Sequence, residues 1–180
     1  ALSIYLKALD LNPGSASLYT KIAGEHIRAG RLEEAGQVLR RGVEARADDP
    51  MARNDLGLFL ERTGHPAEAE QAFLQALELN DRIPEVQMNL GLFYLGLGRH
   101  DNALAALTRA AQLDPANPDV HFAVGEAYTR KEKYQEAAGA YQQVLILAPS
   151  YPEAGRRLQQ VLQLLPGTTP SRASSRTTDQ

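Results

Sequence analysis

The chain of 180 residues contains no cysteine. That absence excludes a disulfide framework, a thiolate metal site and a cysteine nucleophile, and it leaves the redox compartment undefined. No stretch approaches the ~20 apolar residues of a bilayer-spanning helix, so direct membrane insertion is not expected. Blocks of positive charge are also missing: 19 Lys and Arg stand against 22 Asp and Glu, for a net charge of −3. Phosphate backbones are bound by clustered cations, so nucleic acid is not an expected partner. The histidines His26, His65, His100 and His121 include no pair at the i, i+4 spacing of a helical metal site. His26 reads as a packing residue, while His65 and His100 are expected in solvated turns. Residues 95–99 (LGLGR) follow no strand and precede no Gly-Lys-Ser/Thr, so they form no phosphate loop. Glu33, Glu34, Glu68, Glu70 and Glu78 are expected on solvated helix faces, which do not raise a carboxylate pKa as acid–base catalysis requires. No catalytic residue, metal ligand or cofactor site is therefore expected.

What the chain does contain is a 43% share of hydrophobic residues, enough for a folded core, and a period. Prolines stand at 50, 84, 118 and 152, each 34 residues after the last. A second series has prolines at 13, 115 and 149. Glycines recur at 30, 64 and 98, and again at 57, 91 and 125, where Leu56, Leu90 and Val124 precede them. Ala1, Ala35, Ala69, Ala103 and Ala137 keep the same phase, as do Tyr5, Leu39, Phe73, Leu107 and Tyr141. A fixed period of this size is the mark of a stacked repeat.

Within one period the pattern reads as two helices. Pro84 suits a first helical turn, where its missing N–H is not needed. Val86, Leu90, Phe93, Tyr94 and Leu97 recur at helical spacing. Gly98 follows at a left-handed C-terminal position, and Asp101 or Asn102 is expected to cap the second helix. Ala103, Leu104, Leu107, Ala110, Ala111 and Leu113 give that helix its apolar stripe, and Pro115 and Pro118 stop it. Gly91 and Ala103 let the helices approach, while Tyr94 and Leu107 fill the space beside them. One hairpin cannot bury its apolar face alone, so neighbours must stack.

These residues resemble the tetratricopeptide repeat, with its 34-residue W-x2-L-G-x2-Y…A-x3-F…P signature. Leu56-Gly57, Ala69, Phe73 and Ala76 carry the match in one repeat. Leu90-Gly91, Tyr94, Ala103, Ala110 and Pro115 carry it in the next, followed by Val124-Gly125, Tyr128, Ala137, Tyr141 and Pro149. The repeat at 16–49 is weaker, with Ile22-Ala23, His26, Ala35, Leu39 and Gly42, and no repeat has the signature Trp. The resemblance implies an all-α, right-handed superhelical solenoid of antiparallel helix pairs. Expected segments are 1–15 as the second helix of a truncated repeat, full repeats at 16–49, 50–83, 84–117 and 118–151, and a C-terminal capping helix at 152–165. Residues 166–180 are expected to be disordered, for want of aliphatic residues; a basic-directed kinase motif at Arg172-Ala173-Ser174-Ser175 is a weak signal there. Because the chain opens at Ala1, without Met and inside a helical pattern, it is expected to be a piece of a longer protein.

The resemblance also implies a concave wall built from the first helix of each hairpin, along which partners lie. Counting along those helices turns Ser17, Thr20, Lys21, Gly24, Ile27 and Arg28 inward in the first repeat. From the whole wall the expected partner-binding set is Lys21, Met51, Asn54, Asp55, Leu58, Met88, Asn89, Leu92, Leu95, Phe122, Glu126 and Arg130. Its apolar centre suits a protein or peptide partner, with methionines adapting to shape and Asn54, Asp55 and Asn89 bonding a peptide backbone. No register supplies the paired cations of the family's chaperone-carboxylate clamp. Of the asparagine ladder found in O-GlcNAc transferase, only Asn89 fits, with Asp55 close. The leading expectation is an interaction scaffold rather than an enzyme. Alternatives are the accessory region of a larger enzyme, such as a transferase, and an array that self-associates through its truncated N-terminal end, where Ile4 and Tyr5 lack a covering helix.

Overall fold

The computed structural model describes residues 1–165, which form ten α-helices and no strand. The 166–180 segment, with its expected disorder and kinase motif, lies outside the described residues. The helices are α1 (Leu2–Leu11), α2 (Ala16–Arg28), α3 (Leu32–Ala45), α4 (Pro50–Arg62), α5 (Pro66–Leu79), α6 (Pro84–Gly96), α7 (His100–Leu113), α8 (Pro118–Arg130), α9 (Tyr134–Leu147) and α10 (Ala154–Leu164). None is long and apolar enough to cross a membrane. The chain divides into two compact units, Ala1–Pro115 and Ala116–Gln180. Among the described residues the first holds α1 to α7 and the second α8 to α10.

In the first unit α2 pairs with α3, α4 with α5, and α6 with α7. The first helices also touch one another directly, α2 with α4 and α4 with α6. The single helix α1 packs on α2; it buries no residue fully and leaves Ile4 68% and Leu11 88% exposed. In the second unit α9 lies against both α8 and α10. Ala137, Ala138, Tyr141 and Val161 form the buried cluster there, with Phe122, Tyr128, Tyr134 and Leu158 packed around it.

Close approach in the α4–α5, α6–α7 and α8–α9 pairs depends on a glycine of the first helix, whereas in α2–α3 it is Gly42 of the second helix that lies against Tyr19. A Cβ added at Gly57 would lie 2.8 Å from Phe73, at Gly91 2.5 Å from Leu107, and at Gly125 2.6 Å from Tyr141. Phe73, Leu107 and Tyr141 are each fully buried. The bulky series and the glycine series are thus two halves of one contact.

The turn inside each pair repeats one hydrogen-bond pattern. The N–H groups of Arg31, His65, Arg99 and Lys133 donate to the carbonyls of His26, Leu60, Tyr94 and Tyr128, five residues back, at 2.9–3.0 Å. This is the six-to-one bond of a Schellman end, and it needs a left-handed residue just before the donor. Gly30, Gly64 and Gly98 supply it with φ of 73°, 80° and 72°. The fourth turn uses Glu132 at φ 59°, a conformation in which a side chain costs ~1–2 kcal/mol. The expected cap at Asp101 or Asn102 is not there. Helix α7 starts earlier, at His100, with Arg99 as its uncapped N-terminal neighbour, because the tight turn leaves no residue to spare. Of the first helices, α4 is capped by Asp49, which accepts from the N–H groups of Met51 and Ala52, and α8 by Asn117.

Two outcomes test these contacts. Gly91→Ala should destabilise the chain by ~1–3 kcal/mol, because Leu107 has nowhere to move, whereas Gly139→Ala, whose added Cβ meets nothing within 4 Å, should stabilise by up to ~1 kcal/mol through helix propensity. Urea unfolding followed by circular dichroism distinguishes the signs. Glu132→Gly should raise stability by ~1 kcal/mol by relieving the left-handed side chain, read in the same assay.

Candidate functional site: the first-helix face

The direct contacts of α2, α4 and α6 place their outer residues on one continuous face of the first unit. The 34-residue period does more than repeat this face; it also ties it together. Thr20 Oγ1 donates to Asp55 Oδ2, Asn54 Nδ2 reaches Asp55 Oδ1 at 3.5 Å, and Asn89 Nδ2 donates to Asn54 Oδ1 at 2.9 Å. Both inter-repeat bonds join residues 35 apart. One position of a first helix therefore meets the next position of the following one. The network's donors converge on the Asp55 carboxylate. Asn54 is fully buried, where an unpaired amide would cost ~1–3 kcal/mol, and the ladder satisfies it. Burial is the larger influence on Asp55 and raises its pKa above 3.8, while the bonds from Thr20 and Asn54 pull it back down.

Two hollows flank the Thr20–Asp55 bond. One, of about 170 Å³, is lined by Gly24, Ile27, Leu39, Leu58, Phe59 and Arg62 beside that pair. It exists because Gly24 stands where the next two repeats carry Leu58 and Leu92, and a Cβ there would touch nothing within 4 Å. The other, of about 310 Å³, is lined by Ser17, Lys21, Asp49 and Met51 around the same pair. Further along, Met88 and Asn89 are half-buried, and Leu92 is 42% exposed. The Lys21 ammonium lies 6.0 Å from the centre of the Tyr5 ring.

Several sequence-derived site residues occupy other environments. Leu95 is buried, 4% exposed. It follows Leu92 by three positions, but on α6 that turn of helix already faces the core. Asn54 offers no surface and spends its amide inside the ladder, so it cannot bond a peptide backbone. In the second unit Phe122 is half-buried rather than an exposed strip centre: its ring stacks on Tyr151 at 5.1 Å and tilts against Tyr141 at 5.5 Å. Glu126 is paired with Arg157 at 3.0 Å, while Arg130 is exposed. Glu70, expected in solvent, instead accepts the Tyr94 hydroxyl at 2.9 Å and the Arg99 guanidinium at 2.8 and 3.0 Å. His100 is half-buried and its Nδ1 has no hydrogen-bond partner. The period alone could have flagged Thr20, which has an acceptor 35 residues later.

The ionised Asp55 should cost stability. Its folded pKa lies above the unfolded value, so the folded state holds its proton more tightly. Stability contributed by the protonated form is complete below 3.8 and is lost as pH rises through the higher folded pKa. Asp55→Asn should flatten the pH dependence of unfolding in that window. An unchanged slope, measured by urea titration at several pH values, would count against a partly buried carboxylate whose desolvation outweighs its two hydrogen bonds.

A family model for the tetratricopeptide repeat matches residues 20–85, 54–118 and 88–152. No curated protein matches the chain. Among solved structures the fold is similar to a chain of the APC/C hetero-tetramer Cut9-Hcn1, with TM-score 0.76, 24% identity, and 89% of this chain covered against 32% of that one. The chain thus spans about a third of that relative's length. It is also similar to TTC0263, a thermophilic repeat protein of Thermus thermophilus, with TM-score 0.72, 23% identity, and coverage of 89% and 88%. YrrB, described as having an unusual peptide-binding site, gives TM-score 0.70 at 21% identity, with 89% and 83% covered.

Proposed function

Because the chain belongs to the tetratricopeptide-repeat family, we propose that it is a protein-interaction scaffold whose first-helix face holds an apolar peptide or short helix of a partner protein. The observation that carries this reading is the notch at Gly24. The period places a leucine at the same position in the next two hairpins, and its absence opens a hollow onto Ile27 and Leu58. An inserted apolar side chain would occupy the place of the missing leucine. Met51 and Met88 are adaptable neighbours for such a segment, and the exposed Leu92 extends the apolar surface beyond them. The half-buried Asn89 amide ends the ladder, donating from Nδ2 to Asn54. Lys21 and Arg62 border the two hollows as cations. YrrB, a fold relative, is described as having an unusual peptide-binding site, which supports a peptide as the class of ligand.

Selection of a displayed peptide library on the full chain should yield apolar sequences of micromolar affinity, on the order of −8 kcal/mol. Gly24→Leu fills the notch without a clash and should weaken the selected peptide at least about tenfold, as should Leu92→Ala. Leu164→Ala, an exposed change in α10, should not. Peptides that bind Gly24→Leu and Leu92→Ala as well as the parent chain would remove this face as the site.

A further inference from the structure

A second cavity lies on the other side of α4, between it and α3. Its volume is about 290 Å³, and Leu32, Phe59 and Leu60 line it with Gly36, Arg40 and His65. Its origin is visible by comparison with the next hairpin along the chain. One period later, Gly36 becomes Glu70, Leu60 becomes Tyr94 and His65 becomes Arg99. There the three side chains fill the equivalent place: the Tyr94 phenol and the Arg99 guanidinium both bond the Glu70 carboxylate. Between α3 and α4 the carboxylate, the phenol and the guanidinium are all replaced.

One cation remains. Gly36 is buried, and a Cβ there would lie 3.0 Å from the Phe59 ring and 3.4 Å from Arg40 Nη1, so the ring packs on the glycine with the guanidinium beside it. Arg40 is half exposed and its ion pair with Glu68 is at the 4.0 Å limit of contact. Such an exposed, stretched pair contributes little and is readily exchanged. Glu33 lines the cavity as its one carboxylate and is exposed. Thr63, whose hydroxyl donates to the Phe59 carbonyl at 2.9 Å, closes the far wall.

We infer that this cavity is a second docking site, which takes a partner segment presenting a tyrosine next to an acidic residue. The tyrosine ring lies on Leu32, Phe59 and Leu60, and the carboxylate meets Arg40. The occupant thus supplies in trans what Glu70 and Tyr94 supply within the chain. This cavity and the first-helix hollow share the Phe59 ring as a wall, but of the two Leu58 lines only the first-helix hollow and Leu60 only this cavity.

The probe is acetyl-Tyr-Glu-amide, titrated into the isotope-labelled full chain and followed by NMR. Saturable shifts are expected at Leu32, Leu60 and Thr63. Acetyl-Tyr-Gln-amide should bind about tenfold more weakly, for loss of one charge-assisted contact. Arg40→Gln, a change at an exposed side chain, should erase the difference between the two peptides, and Leu92→Ala should leave it intact. No saturable shift at millimolar peptide, equal affinity for both peptides on the unaltered chain, or full discrimination retained by Arg40→Gln would each overturn the assignment.

Discussion

The structure depends on how closely two helices of a pair can approach. Gly57, Gly91 and Gly125 remove the side chain that would hold the pair apart, and Phe73, Leu107 and Tyr141 take the space. Pairing sets the position of each first helix, and stacking sets the distance to the next one. Only at that distance can residues 35 apart share a hydrogen bond, as Thr20 with Asp55 and Asn54 with Asn89 do. The polar ladder is thus a consequence of apolar packing, and would fail if the glycines grew side chains.

Much of this was legible in the sequence because the signals repeat. Pro50, Pro84 and Pro118 stand at the first turns of α4, α6 and α8. Gly30, Gly64 and Gly98 mark left-handed turns. What escaped the sequence lies at finer resolution than the period. A helical face is about 100° per residue, so neighbours such as Asn54 and Asp55 were placed on the wall together, although only the second keeps any surface. Leu95 and Phe122 were misplaced for a related reason, since spacing does not reveal which aromatic or aliphatic neighbours close over a residue. Glu70 looked solvated because its partners, Tyr94 and Arg99, belong to the next hairpin. Nothing in the continuous period marked the division at Pro115–Ala116 either.

Two residues of the first-helix face run against stability. A carboxylate that is partly buried, as Asp55 is, costs desolvation that an apolar residue would not. The Asn54 contact lies within α4 and orients the carboxylate, while the Thr20 bond to Asp55 ties α2 to α4 at one alignment. The same bond keeps the walls of two hollows in place. Gly24 acts in the same direction, since a larger residue would add helix propensity and apolar contact but close the notch.

In a repeat chain each hairpin is a control for the others, and departures from the period separate function from folding. A position that three successive hairpins fill alike, such as the Gly91 contact, answers to packing. A position that one hairpin empties, while its neighbours fill it, removes stability that the fold demonstrably can use. Gly24 against Leu58 and Leu92 is one such departure. Gly36 against Glu70 is another change of residue in the same hairpin, where the Phe59 ring packs on the glycine, and each of the two glycines borders a cavity. Glu132, left-handed where three glycines stand, is a departure of a different kind: it adds strain and opens nothing. The first two border cavities and the third does not, a distinction that rests on what each substitution uncovers rather than on how unusual it is.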